Sequence, residues 1–240
     1  PVAPDDGTTL VISTQPPSSA VAGATWTVAV EVHDGAGNVN TAATDLVSVV
    51  LSSGTGALNG AVLSQTAVGG VATFDGLTVT TVGSGKQVTA SAAGMSSATT
   101  TAVTVSHAEA ASLVVASELD SSFVAGEDSS MSVNVVDAYG NLVTTGVQAD
   151  VSVALYQGTG VLQGTSTVTA VAGVASFAGL SVETAGSGKR VAVTATDLSS
   201  AVSATFGIVP AAAASVRMAA EPASEVGAGV AFGVSCELLD

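Results

Sequence analysis

The hydrophobic and polar positions of this chain fall into a succession of short alternating runs. Trp26, Val28, Val30 and Val32 alternate with Thr27, Ala29, Glu31 and His33, and Met131, Val133 and Val135 alternate with Ser130, Ser132 and Asn134. A period of two puts successive side chains on opposite faces of a pleated strand, so each run has one apolar face and one polar face. Val151, Val153 and Leu155, and later Val191, Val193 and Ala195, mark the inward faces of two further strands. Valine and threonine suit such a half-buried pleat, and glycines punctuate the runs where turns are needed. The pattern predicts an all-β protein built of Ig-like β-sandwiches, each with about seven antiparallel strands, rather than a helical bundle.

The pattern also repeats. Asp34-Gly35-Ala36-Gly37-Asn38 returns 103 residues later as Asp137-Ala138-Tyr139-Gly140-Asn141. Gly70-Val71-Ala72-Thr73-Phe74 returns at the same spacing as Gly173-Val174-Ala175-Ser176-Phe177, and Gly83-Ser84-Gly85-Lys86 as Gly186-Ser187-Gly188-Lys189. Gly54-Thr55-Gly56 pairs with Gly158-Thr159-Gly160 at a spacing of 104, so one residue is inserted between these marks, and a loop is where it fits. A third copy opens near Ser215, with Gly229 matching Gly126 and Gly23, and Asp240 matching Asp137 and Asp34. The expected organisation is an N-terminal segment over 1–8, an Ig-like domain over 9–108, a second over 109–211, and the start of a third over 212–240. The chain then reads as a piece of a longer repetitive protein. Pro16-Pro17 breaks the first strand, with Pro222 equivalent to Pro16; proline belongs at an edge, where that strand can leave one sheet for the other. The linkers 106–111 and 210–214 are short, which predicts adjacent domains in contact and an extended, semi-rigid rod.

Composition narrows the function classes. With 47% hydrophobic and only 10% charged residues over 240 positions, the chain is too apolar for a disordered segment. Nineteen acidic side chains against four basic ones give a net charge of -15, which is wrong for a partner that is nucleic acid or an anionic membrane surface. No run approaches the roughly 20 apolar residues of a spanning helix, so no membrane insertion is expected of this segment. Cys236 is the one cysteine, which leaves neither an internal disulfide nor a multi-cysteine zinc module. Its alignment with Val30 and Val133 predicts a buried thiol, with pairing to a cysteine elsewhere as the alternative.

Candidate chemistry is sparse. Gly83-Ser84-Gly85-Lys86 and its copy look like part of a phosphate loop, but Thr80 stands where the motif needs its first glycine and Gln87 where it needs Ser or Thr. Lys86 and Lys189 are therefore read as solvated residues of a β-turn; an intramolecular isopeptide bond would need them buried beside an acid. His33 and His107, the only histidines, have no evident nucleophile or orienting partner, and Val136 replaces His33 in the second copy. Asp5, Asp6, Asp34, Asp45, Asp75, Asp137 and Asp150 could supply oxygen ligands to calcium at a domain junction, with Asp34 and Asp137 the leading candidates, but they are scattered rather than gathered in one loop. No catalytic residue and no other cofactor is expected. Trp26 faces the core, which leaves Tyr139, in a turn, and Tyr156 as the aromatic contact candidates.

The repeated Asp-x-x-Gly-Asn segment, Asp34 to Asn38 and Asp137 to Asn141, suits a tight turn after a strand. Asp can accept from nearby backbone amides, Gly37 and Gly140 can take positive φ, and Asn tolerates the left-handed region. Followed by Gly70 to Ala72 and by the Gly-rich turn and strand from Gly83 to Ala90, it resembles the bacterial Ig-like repeats of the invasin and intimin type. Filamin-type repeats and the Ig-like repeats of algal surface filaments share this sort of turn. The resemblance covers both complete copies and the start of the third. It implies a non-enzymatic stalk, filament or surface layer outside a cell, whose partners are neighbouring copies or other surface-assembly proteins. The alternative is an adhesin module that binds a receptor or glycan through loops at a sandwich end, with Tyr139 as a contact.

Overall fold

The computed structural model describes residues 7–221 and 224–239, all of them in strands, turns and loops. Asp5, Asp6, Pro222 and Asp240, named above, lie outside the described residues. The first copy contains β1 (Thr9–Thr14), β2 (Ser19–Val21), β3 (Trp26–His33), β4 (Leu46–Ser53), β5 (Ser64–Thr66), β6 (Val71–Leu77), β7 (Gly83–Ser91), β8 (Ala98–Thr99) and β9 (Val103–Ser106). One sheet runs β1-β3-β6 and the other β2-β9-β7-β4-β5, with β8 added on β7. The second copy contains β10 (Ala110–Ser117), β11 (Ser122–Val124), β12 (Ser129–Asp137), β13 (Asp150–Gln157), β14 (Leu162–Gln163), β15 (Thr167–Thr169), β16 (Val174–Val182), β17 (Gly186–Thr194), β18 (Ala201–Val202) and β19 (Phe206–Val209). Its sheets run β10-β12-β16-β14 and β11-β19-β17-β13-β15, with β18 on β17. The fold is all-β and Ig-like, as the alternation predicts.

The core forms where the apolar faces of the two sheets of a copy meet. In the first, Val28, Val30, Val32, Ala72, Phe74 and Leu77 pack against Val47, Val49, Val88, Ala90, Val103 and Val105. Register fixes these faces: Val30 lies opposite Ala72 and Val28 opposite Phe74, and a one-residue slip would turn every one of them to solvent. Met131, Val133 and Val135 occupy the matching buried positions of the second copy, together with Phe177, Val191 and Val193.

The first strand changes sheets as the proline pair suggests. β1 runs antiparallel to β3, the chain breaks at Pro16-Pro17, and β2 continues parallel to β9 in the opposite sheet. The second copy makes the same crossing without proline, β10 on β12 and then β11 parallel to β19, with Leu119 buried in the break. Proline is therefore one way to interrupt the strand and not a requirement of the crossing.

By contacts, the chain forms two compact units. The first gathers the residues up to Ala111 together with Val136–Val147, and the second gathers Ser112–Val135 and the residues from Gln148 on. The turn that follows β12 thus belongs to the first unit. β20 (Ser215–Ala220) and β21 (Ser235–Leu239) form a two-stranded antiparallel sheet at the start of the third copy. Here the expectation for Cys236 fails. Its thiol is exposed, 3.5 Å from Met218 Sδ, because among the described residues no second sheet covers this strand pair.

Candidate functional site

The Asp-x-x-Gly-Asn turn carries a dense set of hydrogen bonds in both copies, and the two differ in what they touch. After β3, Asp34 Oδ1 accepts the backbone N–H groups of Ala36 and Asn38, both at 2.9 Å, and Gly37 takes φ 85°. Asn38 N–H to Asp34 closes the loop from the side chain, while Asp34 N–H to the Asn38 carbonyl, also 2.9 Å, closes it from the backbone. The Asn38 amide reaches the Asp34 carboxylate only at 3.3 and 3.4 Å, and residues 35–38 are exposed. The hydrogen bond from the Asn38 N–H leads the effects that hold the Asp34 carboxyl below its ordinary value.

In the second copy the same internal bonds recur: Asp137 Oδ1 accepts from Tyr139 and Asn141 N–H at 2.9 Å, and Gly140 takes φ 83°. The remaining polar atoms, however, serve the first unit. Asn141 Nδ2 donates to the Thr80 carbonyl at 2.8 Å while its Oδ1 accepts the Val82 N–H at 3.1 Å, so one side-chain amide bonds two backbone groups of a loop. Asp137 Oδ2 accepts the Ala108 N–H and the Asn141 amide, each at 2.9 Å. Burial alone would raise the Asp137 carboxyl; the hydrogen bonds from Asn141, Ala108 and Tyr139 outweigh it and the net direction is down. Tyr139 adds contact. A Cβ on Gly23 would lie 1.9 Å from the tyrosine hydroxyl oxygen, and Gly23 at φ 79° is also in the left-handed region. Gly23 therefore provides the floor on which the ring's hydroxyl end rests.

Lys86 and Lys189, expected in solvent, are buried, each 1% exposed. The Gly-Ser-Gly segments begin strands β7 and β17, and Lys86-Val88-Ala90 and Lys189-Val191-Val193 lie on their inward faces. Lys86 Nζ donates to the Thr55 carbonyl at 2.5 Å, and Lys189 Nζ donates to the Thr159 carbonyl. The stems run beneath the Gly-Thr-Gly turns: a Cβ on Gly54 or Gly158 would stand 2.8 Å from the lysine Cγ. Burial lowers the Lys86 ammonium from its ordinary value. Among the described residues, the partner of each lysine is a backbone carbonyl and no acid is bonded to either.

His33 does have a partner: its Nε2 lies 2.9 Å from Glu31 Oε2, two residues back on the same strand face. His107 Nε2 lies 2.9 Å from Thr145 Oγ1, with the Ala108 carbonyl at Nδ1, and among the described residues no carboxylate is bonded to the His107 ring. Asp75 accepts from the Thr27 hydroxyl at 2.7 Å and Asp150 from the Thr169 hydroxyl at 2.5 Å, so each serves a cross-strand bond. Among the described residues, no group of three or more His, Cys, Asp or Glu is placed to hold a metal ion.

Comparison with protein-family models and with curated proteins finds no match. Among solved structures, a β-glycosidase from Bacteroides vulgatus is similar over 85% of this chain and 25% of its own, at 15% identity and a TM-score of 0.38. The D0-D1 domain of intimin is similar over 84% of this chain and 98% of its own, at 20% identity and a TM-score of 0.33. Domains 4-9 of surface layer protein SbsC are similar over 89% of this chain and 33% of their own, at 17% identity and a TM-score of 0.33. This chain spans about a quarter of the length of the glycosidase it matches. At this level of similarity neither an activity nor a location passes to this chain.

Proposed function

We propose that this chain is a non-enzymatic structural segment of an extracellular or cell-surface protein, a stalk, filament or layer made by end-to-end and lateral packing of Ig-like sandwiches. One observation carries the reading: the polar motif that recurs in each copy is used, in residues 137–141, to bond backbone groups of the first unit rather than to present chemistry. Composition supports it. Four Lys and Arg in 240 residues leave few sites for trypsin-like proteases on an exposed protein, and the small Ser, Thr and Ala side chains of the outer faces suit close packing between chains.

The adhesin alternative needs a free aromatic contact. Tyr139 is half exposed, but its hydroxyl end rests on Gly23, so substituting it bears on the fold as well as on any ligand. Electron microscopy of native material, with immunogold labelling of intact cells, separates the readings. Label on ordered extracellular filaments or sheets is the expected result; label confined to the cell interior overturns the structural proposal.

A further inference from the structure

We infer that Asn59-Gly60 is a site of spontaneous deamidation in the folded protein, and that its isoaspartyl product frees the loop at residues 54–60 from Thr78. The reaction needs a side-chain amide as electrophile, the N–H of the next residue as nucleophile, and little bulk on that next residue; asparagine is among the thermolabile side chains for this reason. Among the described residues, three positions set Asn or Asp before glycine: Asp34-Gly35, Asn59-Gly60 and Asp75-Gly76. The two aspartates have a carboxyl oxygen engaged, Asp34 Oδ1 by the Ala36 and Asn38 N–H groups and Asp75 Oδ1 by the Thr27 hydroxyl, and an ionised carboxyl offers no leaving group. Asn59 is different. It is exposed, and its side-chain amide makes one long bond among the described residues, from Nδ2 to the Ala57 carbonyl at 3.3 Å. The Gly60 N–H, also exposed, has no hydrogen-bond partner among the described residues, so electrophile and nucleophile are both free.

The fold itself keeps the nucleophile unhindered. A Cβ on Gly60 would stand 2.9 Å from Leu77 Cδ2 and 3.4 Å from Leu63 Cδ2, so packing against the buried Leu77 calls for glycine here. The Gly60 nitrogen bonds to Asn59 Cγ, and its proton departs with the side-chain NH2 as ammonia, closing a five-membered imide. Water then opens the ring at Cγ, giving aspartate, or at the former backbone carbonyl, giving isoaspartate. In the second product the chain runs through Cγ with one extra backbone atom, and the old carbonyl becomes a carboxylate off the chain. That carbonyl is the acceptor of the Thr78 N–H, and Asn59 N–H donates to the Thr78 carbonyl, both at 2.8 Å, so the product loses the bridge that holds this loop beside β6. The second copy keeps the pairing and drops the reactive side chain. Leu162 and Gln163 pair with Val182 and Ser181 as β14 on β16, and Gln163, at the spacing of 104, stands where Asn59 does; glutamine would have to close a six-membered ring, which is far slower. The two aspartyl pairs are gone there as well, replaced by Asp137-Ala138 and Ala178-Gly179.

The test incubates the whole folded chain at physiological temperature and stepped mildly alkaline pH, then unfolds it and cuts with trypsin. Lys86 is the first basic residue, so Asn38, Asn40 and Asn59 fall in one peptide, and electron-transfer fragmentation locates the change and separates aspartate from isoaspartate. The expected result is a one-dalton gain at Asn59 alone, faster as pH rises because base removes the Gly60 amide proton, with isoaspartate among the products. Asn59→Gln, which carries the side chain of the second copy, should show no gain. Hydrogen exchange on the aged chain should show the Thr78 N–H losing its protection, a loss that Asn59→Gln does not share. No gain at Asn59 in the folded chain, whether or not a urea-unfolded sample shows one, overturns the proposal, as does a gain that falls first on Asn38 or Asn40. Unchanged protection of Thr78 in the isoaspartyl chain overturns the release of the loop.

Discussion

Lys86 and Lys189 each run a four-carbon stem beneath a Gly-Thr-Gly turn and give the ε-amino hydrogen to one carbonyl, of Thr55 or Thr159. A buried ammonium is costly unless bonded, and the stem recovers part of the cost by packing as a hydrocarbon. For Lys86 the cost has a pH signature. Its native value is lowered by burial, so in the window between that lowered value and the ordinary lysine value the unfolded chain binds more protons than the folded one. Stability must therefore rise with pH through that window, and the cost returns as pH falls through the native value. Urea denaturation of wild type and Lys86→Met at stepped alkaline pH isolates the contribution. The difference between them should move in favour of wild type as pH rises; a flat or opposite trend would show that the amine is not desolvated.

At the scale of elements, one hairpin offers a paired test. Val68 and Val71 exchange both backbone bonds across Gly69-Gly70, and Val171 and Val174 do the same across Ala172-Gly173. Both central residues have positive φ in each turn, and Ala172, at φ 49°, bears the left-handed strain that Gly69 avoids. Ala172→Gly should stabilise the protein by about 1 kcal/mol and Gly69→Ala should cost about the same, since open space around Gly69 leaves backbone strain as the main effect. Chemical denaturation of the two variants checks the signs. The strands themselves were legible in the sequence because a period of two over buried valines admits few alternatives, and the change of sheet at Pro16-Pro17 followed from proline's missing donor. The burial of Lys86 was equally present in the alternation Lys86-Val88-Ala90, but Gly-Ser-Gly composition points to a turn and hid it. The use of Asn141 was not legible. Residues 34–38 carry the same Asp, Gly and Asn, and only the three-dimensional placement of Thr80 and Val82 separates a bonded turn from an exposed one.

On the scale of the whole molecule, the chain spends its polar groups on holding backbone. Outer strand faces join Ser48 to Ser64 and Thr89 to Thr99 by hydroxyl bonds, and nineteen acidic side chains against four basic ones give a net charge of -15, which favours dispersion at low salt. The same charge opposes association of copies, so self-assembly should strengthen with ionic strength as that repulsion is screened. The claim at the centre of this account is that the recurring Asp-x-x-Gly-Asn turn is a structural clamp. Its most direct test is urea unfolding of Asn141→Ala beside Asn38→Ala, the same substitution at equivalent positions of the repeat. Removing the Asn141 amide leaves the Thr80 carbonyl and Val82 N–H without their partner and should cost about 1–3 kcal/mol, while Asn38→Ala, at an exposed turn, should cost less than about 0.5 kcal/mol. Equal losses at the two positions, or none at Asn141, would contradict it.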